Sequence, residues 1–465
     1  MQNDDNQRIP AVARELIDEI EHLVEIGATA QLEALLGDLH PADVAGILEY
    51  LDEEDRHALL SLVDVEELGE TMLHLPDEQR DDYLEELGAH RIAEIVEELD
   101  PDDATDIIAG LPDDVAAQVL DHLEVADSES TEEIRGLLRY GEETAGGRMT
   151  TDYVAIREDE TVASATEKIR DVVREDDDME IYVIYVVDTD GHLVAFVRVL
   201  DLVLNRPDAV VRDFMSRELV AVAADEDQEL VAQLMQRYDL IDVPVVDEEN
   251  RLLGVVTFDD IAEIIEEEAS EDILYMAGVA GDQDSPSTPP LLSLRRRLPW
   301  LIMNLGTGLI SSMVISQFEG TIDRVKALAA LMPIVAGMGG NAAVQSIAVM
   351  VRSIALGDLG SGGKMRAVIK EGTVGLMNGT AIGLVAGSIV WAMWGKLGLG
   401  VLMAVAMFVN LIIAALVGTT IPLMLRRLKL DPALSSGPLA TTFTDVCGFL
   451  LFLGLATLTV QWLLT

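Results

Sequence analysis

Five long apolar stretches towards the C-terminus restrict the fold of this chain more than any other feature. They cover roughly residues 298–318, 328–351, 373–395, 398–425 and 437–464. Each reaches the roughly 20 residues that an α-helix needs to cross the hydrocarbon core of a bilayer. The mean hydropathy of the chain, +0.27, is also too high for an ordinary soluble protein. The sequence therefore predicts a helical membrane domain of five spans, with the lipid bilayer as a partner.

Basic residues are distributed unequally among the connections between these stretches. Ten Lys and Arg residues lie before the first stretch, between the second and third, or between the fourth and fifth, whereas the other two connections hold three. Cytoplasmic loops carry the excess of Lys and Arg in membrane proteins. This predicts a multi-pass protein of the cell membrane with a cytoplasmic N-terminal half and a C-terminus outside. The opening segment "MQNDDNQRIP" lacks an apolar core, so no cleaved signal peptide is expected.

The part of the chain before the first apolar stretch is strongly acidic. It holds 78 Asp and Glu against 21 Lys and Arg, and the whole chain carries a formal net charge of −53. Such a surface repels nucleic acid and anionic lipid headgroups, so no nucleic-acid partner is expected, and it attracts divalent cations. Most of the excess fits a halophilic protein whose charges are screened by molar salt, and a minority of the carboxylates are candidate ligands.

Residues 11–126 contain a repeat of twelve residues. Leu or Val recurs at this interval from Leu39 to Leu123, often followed by Asp or Pro, as in "LDPDDATDIIAG". Asp caps and Pro in the first turn start helices, and the apolar positions that follow form one stripe. Each unit therefore predicts one short helix. Because helices of about eight residues are not stable alone, they must stack into a solenoid-like array, which is a scaffold or docking domain.

Residues 148–272 change to short β-rich runs that alternate with helical runs, and this order repeats once. The two copies resemble tandem CBS domains, most clearly in "VPVVDEENRLLGVVTFDDI". In that family a strand-end T-x-x-D segment can hold a nucleotide ribose. The matching positions are Thr257 and Asp260 in the second copy, and Arg198 and Asp201 in the first, which lacks the Thr. ATP is thus a candidate ligand, and the alternative is that Asp260 only caps the following helix.

The fifth apolar stretch contains one carboxylate, Asp445, within "PLATTFTDVCGFLLFLGLA". A bare charge at the centre of a bilayer costs about 3 kcal/mol or more. On a helix, Thr441, Asp445 and Gly448 share one face. No Lys or Arg of the membrane domain is placed at the depth of Asp445, so a salt bridge is not expected. A cation path past Asp445 is therefore the favoured interpretation.

The second and third apolar stretches are rich in small residues. In "MPIVAGMGGNAAVQSIAVM", Asn341 and Gln345 lie four residues apart and share a helix face. They are predicted either to line a wet path or to belong, with the neighbouring glycines, to a packing surface. In the third stretch, Gly recurs every four residues from Gly375 to Gly387, which predicts a helix-contact stripe.

The residue types in the spans favour magnesium among the cations. Mg2+ gives up its waters reluctantly, so its path needs few direct ligands and a carboxylate that binds the hydrated ion. Potassium would call for rings of carbonyls and transition metals for His or Cys, whereas the spans hold no His and only Cys447. Five helices are few for a pore, and a twofold homodimer would bring two Asp445 carboxylates to its axis.

The order of these parts resembles the MgtE family of magnesium channels across essentially the whole chain. The resemblance is carried by the motifs P-x-x-x-G-x-G-G-N-x-x-x-Q and DPAL-x-S-x-P-x-x-x-x-x-x-D-V-x-G. The predicted fold is an all-α superhelical repeat domain, α/β tandem CBS domains and an all-α transmembrane domain of five helices. The expected boundaries are 1–130 for the repeat domain, 131–205 and 206–272 for the CBS domains, 273–297 for a linker or plug helix, and 298–465 for the pore domain.

The resemblance also implies site residues. It places a hydrated Mg2+ in the pore of a homodimer at Asp445, beside the backbone of Thr441 and Gly448. It further implies regulatory Mg2+ between the cytoplasmic domains and the linker. The residues that match the regulatory ligands are Asp102, Asp106, Gly147, Asp227, Glu229, Asp239, Asp260, Glu268, Glu271, Asp272 and Asp431.

The function expected from these features is that of a Mg2+-selective channel or transporter rather than an enzyme. It would import Mg2+ and close when cytosolic Mg2+ binds the acidic domains, because clustered carboxylates repel one another until the ion bridges them. Two alternatives stay open. One is a secondary transporter of Co2+, Mn2+ or Ni2+, and the other is a membrane-tethered metal or nucleotide sensor without transport.

Overall fold

The structure, a computed structural model, describes residues 16–464 except 18, 21, 25, 38, 49, 127, 176–180, 280–287, 289, 358, 360–361 and 435. The chain divides into two compact units, Met1–Ala262 and Glu263–Thr465. The opening segment considered for a signal peptide lies outside the described residues, and so does the middle of the predicted linker, residues 280–287 and 289.

The first unit begins with a stack of short helices. They are α1 Thr29–Leu36, α2 Pro41–Leu48, α3 Glu53–Leu60, α4 Val65–Leu73, α5 Asp77–Leu87, α6 Ala89–Glu97, α7 Pro101–Gly110, α8 Asp113–Ala126 and α9 Ser128–Leu137. Their starts follow the repeat, since Asp64 caps α4 through the Val65 amide and Pro101 is the first residue of α7. Five residues of the repeat, Leu51, Val63, Leu75, Leu111 and Leu123, are buried in one contiguous core, and Leu87 and Leu99 pack against it partly buried. The prediction of one helix for each twelve-residue unit is confirmed.

Two small α/β sheets follow in the same unit. Their elements are β1 Ala155–Arg157, α10 Val162–Glu175, β2 Val183–Val187, β3 Leu193–Arg198, α11 Val199–Leu204, β4 Val222–Ala223, α12 Gln228–Tyr238, β5 Val243–Val246 and β6 Leu252–Val256. In each sheet the first strand runs parallel to the second and the second antiparallel to the third. The helix between the first two strands makes the parallel pairing possible. The repeated order predicted from the sequence is confirmed.

The helix α13 Phe258–Ala277 crosses the boundary between the two units. The second unit continues with α14 Pro290–Ser316, α15 Glu319–Arg324, α16 Ala327–Ala355, α17 Gly363–Trp394, α18 Leu397–Arg427, α19 Ser436–Leu458 and α20 Val460–Leu464. Among the described residues, five of these helices, α14 and α16 to α19, are long and apolar enough to cross a membrane. The predicted fold class is confirmed, with five spanning helices following the helical and α/β parts.

The first spanning helix begins earlier than the first apolar stretch. The basic residues Arg295 to Arg297, which the sequence analysis placed in the linker, lie within α14, and Pro299 lies inside the same helix. A proline removes one backbone donor but does not end a helix whose surrounding residues keep their own bonds. The basic segment and the first span are therefore one continuous helix.

Helices α17 and α18 pack along the glycine stripe predicted from the sequence. Gly375, Gly379, Gly383 and Gly387 are all buried. A Cβ on Gly379 or Gly383 would overlap backbone carbonyls of α18, at Phe408 and Ala404 respectively. Because only glycine permits so close an approach, the stripe is a packing surface, as predicted.

Candidate functional site

A cavity of about 350 Å3 lies among the spanning helices beside Asp445. Its wall combines the end of α13 with residues of α14, α16 and α19. The lining residues are Met276, Ala277, Asn304, Thr307, Gly308, Ser311, Val344, Gly437, Pro438, Thr441, Thr442 and Asp445. The cavity brings the one carboxylate of the fifth span together with hydroxyl and carboxamide groups.

The polar atoms around Asp445 are arranged to accept rather than to donate. The Oδ1 atom of Asp445 is buried and has no hydrogen-bond partner within the described part of the chain. The Thr441 hydroxyl donates to the Gly437 carbonyl at 2.8 Å, and the Thr442 hydroxyl donates to the Pro438 carbonyl at 2.8 Å. Because each hydroxyl donates its proton to a carbonyl within α19, its oxygen can still accept a hydrogen bond or face a cation.

The structure separates the other predicted pore residues from this cavity. Gly448 is buried on α19, where a Cβ would press on the Asn410 carboxamide of α18. Asn341 and Gln345 are exposed on α16 and do not line the cavity. Thr441 and Asp445 are therefore the predicted pore residues that the fold of a single chain brings together.

Two polar side chains that the sequence analysis did not single out are buried among the spans. Glu371, on α17, accepts a hydrogen bond from the Ser346 hydroxyl of α16 at 3.0 Å, and Lys370 lies 3.2 Å from its other oxygen. Asn410 is fully buried on α18 and donates to the Val335 carbonyl of α16 at 3.0 Å. Both tie neighbouring helices together, and neither lines the cavity at Asp445.

An acidic cluster in the first unit joins residues far apart in the sequence. Asp102 and Asp106 of α7 lie close to Asp260 at the start of α13, where the Thr257 hydroxyl donates to Asp260 at 2.8 Å. Burial raises the pKa of Asp260 to about 7 against the hydrogen bonds from Thr257, and the negative charge of Asp259 adds to the rise.

The cluster holds more carboxylates than the sequence analysis selected. Burial raises the pKa of Asp103 to about 7, helped by the charges of Asp260 and Asp100. Burial also holds the pKa of Asp102 well above its usual range, and the same two neighbours contribute to that rise. Within this group Arg148 supplies one positive charge, at 3.4 Å from Asp106. A dication between these carboxylates would relieve their repulsion.

Three further predicted regulatory residues, Gly147, Asp227 and Glu229, lie close together in the first unit. Asp227 caps α12 by accepting a hydrogen bond from the Glu229 amide at 2.9 Å, and Glu229 accepts one from Gln233 at 3.2 Å. Gly147 lies in the loop that pairs with Asp227 through Thr144. A Cβ on Gly147 would overlap the Gly141 carbonyl, so the turn requires glycine at this position.

In the second unit, acidic residues of α13 face the entrance to α19. Burial raises the pKa of Asp272 to about 6, and the charges of Asp431 and Glu271 add to the rise. Asp431 accepts hydrogen bonds from the Ala433 and Leu434 amides just before α19. Glu268 lies one turn before Asp272 on the same helix. Asp272, Glu271 and Asp431 are thus brought together between α13 and the helix that carries Asp445.

A second cavity, of about 520 Å3, lies between the two α/β sheets of the first unit. Arg198 lines this cavity, as does Asp239, the left-handed residue that ends α12. Asp201 does not line it but pairs with Arg198 at 3.0 Å. Thr257 and Asp260 lie in the acidic cluster instead, where Asp260 also accepts a bond from the Thr257 amide, as a helix cap does. The nucleotide positions therefore separate into one group at the cavity and one outside it.

The floor of this cavity contains a polar pair that the sequence analysis did not select. The buried Tyr185 hydroxyl donates to Asp242 at 2.6 Å. Burial raises the pKa of Asp242 against this hydrogen bond. Aromatic and aliphatic side chains, Tyr182, Phe196 and Ile241, complete the wall. An apolar pocket with a few convergent polar groups is the usual form of a small-molecule site.

The acidic cluster predicts a stability that depends on pH. In the unfolded chain Asp carboxyls titrate near 4, whereas in the folded protein the pKa values of Asp103 and Asp260 are about 7. Between those values the folded state binds more protons, so the free energy of unfolding falls as the pH rises through 7. Without divalent cations, we expect the thermal midpoint at pH 8 to lie at least ~2 °C below that at pH 6.

Thermal unfolding of the detergent-solubilised protein, followed by circular dichroism, measures this effect. Added Mg2+ should raise the midpoint more at pH 8 than at pH 6, because the ion replaces bound protons. The double variant Asp102→Asn with Asp260→Asn should weaken the pH dependence, because it removes one of the two carboxyls with a pKa of about 7 and a charge that raises the pKa of Asp103, while Glu167→Gln, at an exposed ion pair, should leave it unchanged. Equal midpoints at both pH values in the unaltered protein would contradict the assignment of these pKa values.

Models of known protein families match three parts of the chain. The model described as MgtE, divalent cation transporter, matches residues 332–455. The MgtE intracellular N domain matches residues 39–143, and the CBS domain matches residues 211–267. These ranges fall on the spanning helices, the helical repeat and the second α/β sheet.

Curated relatives match over almost the whole length. The magnesium transporter MgtE of Thermus thermophilus is 36% identical over 445 residues, which cover 95% of this chain and 98% of that protein. The magnesium transporter MgtE of Bacillus subtilis is 33% identical over 445 residues, covering 95% and 97%. A crystal structure of the cytosolic domain of the Mg2+ channel MgtE in complex with ATP matches with 36% identity and a TM-score of 0.50, covering 53% of this chain and 99% of that one.

Identity above 30% over nearly the full length of both chains establishes common descent of the spans and of the acidic domains. The resemblance seen in the motifs and the expectation of a protein that is not an enzyme are both confirmed. With its five spanning helices, the chain belongs to the MgtE family of membrane transporters.

Proposed function

We propose that this protein imports Mg2+ across the cell membrane along a path that passes Asp445. The observation that carries the proposal is the buried Oδ1 atom of Asp445, which faces a cavity among the spans and has no hydrogen-bond partner within the described residues. A lone carboxylate in a membrane domain is tolerated where it meets water or a cation. The relatives named as magnesium transporters favour Mg2+ as that cation.

The size of the cavity fits a hydrated ion. Six waters occupy about 180 Å3 at roughly 30 Å3 each, which is less than the cavity volume of about 350 Å3. A bare Mg2+ would need about six oxygens in an octahedron with ~2.1 Å bonds. The one carboxylate and two hydroxyls of a single chain do not supply them, so in this proposal the ion passes Asp445 with most of its water shell.

A homodimer accounts for the polar residues that the single chain leaves exposed. Asn341 and Gln345 are exposed on the spanning helix α16. A carboxamide without a hydrogen-bond partner in hydrocarbon costs several kcal/mol. A second copy related by a twofold axis covers this face and brings a second Asp445 to the same path. Two carboxylates then balance the charge of one dication.

Electrostatics sets the direction of transport. The distribution of basic residues in the loops supports a cytoplasmic position for the N-terminal acidic domains and an outside position for the C-terminus. A membrane potential that is negative inside by about 100 mV favours entry of a dication by ~4.6 kcal/mol, twice the value for one charge. Import therefore needs no additional energy source while this potential is maintained.

Closure by cytosolic Mg2+ follows from the acidic clusters. Asp102, Asp106 and Asp260 bind Mg2+ in the first unit, and Asp272 with Asp431 does so beside α19. Bound ions hold the clusters together and favour the closed path, because an ion that binds one state more tightly shifts the population towards it. The other candidates, Gly147, Asp227, Glu229, Asp239, Glu268 and Glu271, are assigned to the same regulatory system in this proposal.

The cavity between the α/β sheets binds ATP in this proposal. It offers aromatic side chains for the base and Arg198 for the phosphates. Replacing Arg198 with Ala should weaken ATP binding about tenfold or more, since a charged hydrogen bond contributes ~1.5–3 kcal/mol. Isothermal titration of ATP into the purified protein measures the change. Arg206→Ala, which removes an Arg that does not line the cavity, is the control, and equal affinity in both variants would contradict this site.

The proposed transport is tested by flux into liposomes. Protein reconstituted in vesicles loaded with a Mg2+-sensitive dye should admit Mg2+ faster than protein-free vesicles. Competition by Ca2+, Mn2+ and Co2+ then ranks the cations. Absence of Mg2+ entry at every tested concentration of internal Mg2+ would overturn the proposal.

A further inference from the structure

The helix α14 carries a polar face that points to the cavity at Asp445. Asn304, Thr307, Gly308 and Ser311 recur at helical spacing and all line the cavity. The apolar residues Leu301, Leu305 and Leu309 of the same helix are exposed and do not line the cavity. A spanning helix with one polar and one apolar face separates a wet path from lipid.

The hydrogen bonds of this face leave acceptors directed to the cavity. The Thr307 hydroxyl donates to the backbone carbonyl of Asn304 at 2.9 Å, so the hydroxyl oxygen of Thr307 can still accept a hydrogen bond. The Asn304 side chain makes no hydrogen bond within the described part of the chain. Packing alone does not account for a carboxamide here, because a buried or lipid-facing amide without a partner is costly.

The waters around Mg2+ are strong hydrogen-bond donors, since the ion draws electron density from them. A hydrated ion beside Asp445 therefore needs acceptors on more than one side. The carboxylate of α19 supplies them on one wall of the cavity. On the wall formed by α14, the acceptors are the side-chain amide oxygen of Asn304 and the hydroxyl oxygens of Thr307 and Ser311.

We propose that the polar face of α14, formed by Asn304, Thr307 and Ser311, is a specificity-determining wall of the ion path that binds the water shell of the passing cation. The proposal rests on the proposed import of Mg2+ and adds its selection step. Ca2+ holds a larger and more irregular shell than the octahedral shell of Mg2+. Acceptors at fixed positions on α14 and α19 therefore fit hydrated Mg2+ better.

Flux through reconstituted full-length protein tests the wall. Asn304→Leu and Ser311→Ala should each raise the half-saturating Mg2+ concentration and lower the Mg2+ to Ca2+ flux ratio about two- to tenfold, the effect of one hydrogen bond. Asn304→Asp, which keeps an acceptor and adds charge, should lower the half-saturating concentration. Leu309→Ala, on the exposed face, should change neither. Unchanged affinity and ratio in Asn304→Leu would overturn the proposal.

A second measurement covers the case in which a polar-face variant folds poorly. In a Cys447→Ser background, Asn304→Cys should react with a charged, water-soluble thiol reagent, and Mg2+ should slow the reaction. Leu309→Cys should react slowly and without a Mg2+ effect. Equal reactivity at the two positions would overturn the polar wall. Mg2+ entry that persists in Asp445→Ala would instead count against the proposed pathway, so the two failures are distinguishable.

Discussion

Replacing Asp445 with Ala should reduce Mg2+ flux into liposomes at least about tenfold at every external concentration. At an effective dielectric of ~20, a carboxylate and a dication roughly 5 Å apart attract each other by ~7 kcal/mol. Desolvation offsets much of this attraction, but a net loss of ~1.4 kcal/mol already gives tenfold. The Asp445 Oδ1 atom has no hydrogen-bond partner within the described chain, so its removal leaves no other protein group unpaired.

A matched control separates loss of charge at the cavity from general damage to the spans. Glu371→Gln neutralises another buried carboxylate, and the amide oxygen can still accept the Ser346 hydroxyl. Because Glu371 does not line the cavity, this variant should keep most of the flux. Asp445→Glu should keep part of it, since the charge remains and only its position changes. Full flux in Asp445→Ala would remove Asp445 from the pathway.

Deleting residues 1–270 should leave Mg2+ flux open at cytosolic Mg2+ concentrations that close the full-length protein. The deletion removes the acidic cluster of Asp102, Asp106 and Asp260 as well as Glu268, while the spanning helices remain. The coupling free energy between two binding sites is typically about 1–3 kcal/mol, which corresponds to a 5- to 150-fold change in binding affinity. Flux should be measured in vesicles of fixed orientation, with Mg2+ varied on the side of the acidic domains.

Point variants test the same regulation in the complete chain. Asp102→Asn with Asp260→Asn should raise the Mg2+ concentration needed for closure, because both variants remove ligands from the cluster. Glu167→Gln, at an exposed ion pair, is the control. The shift should persist in molar salt, where screening acts within about 3 Å, since direct coordination is screened least. If the truncated protein still closes as Mg2+ rises, the acidic domains are not the sensor.

Local sequence signals were sufficient to predict the helices of the repeat, the five spans and the role of Asp445 as a candidate ion ligand. The twelve-residue interval predicts the helices of the repeat because each unit carries its own start signal, as Pro101 does at α7. The five spans follow from length and hydropathy, and their existence does not depend on partners. Asp445 is recognisable because a lone carboxylate in a long apolar run has few stable explanations.

Local sequence signals could not predict which carboxylates form each regulatory site. In a region with 78 acidic residues, a single carboxylate carries little information. Asp103 and Asp259 join the cluster only because α7 packs near the start of α13. Family resemblance selected Asp102, Asp106 and Asp260, and their proximity in the structure is a property of packing between distant segments.

The sequence by itself determined the class of the protein: a membrane domain of five helices, an acidic helical repeat, paired α/β sheets and a carboxylate inside the last span. Only the tertiary structure decided what faces Asp445. The polar residues Asn304, Thr307 and Ser311 are few within a long apolar helix, so a hydropathy value averaged over the helix does not reveal them. The physical reason is that periodicity fixes which residues share a face of one helix, whereas the neighbour of that face is chosen by packing across the whole domain.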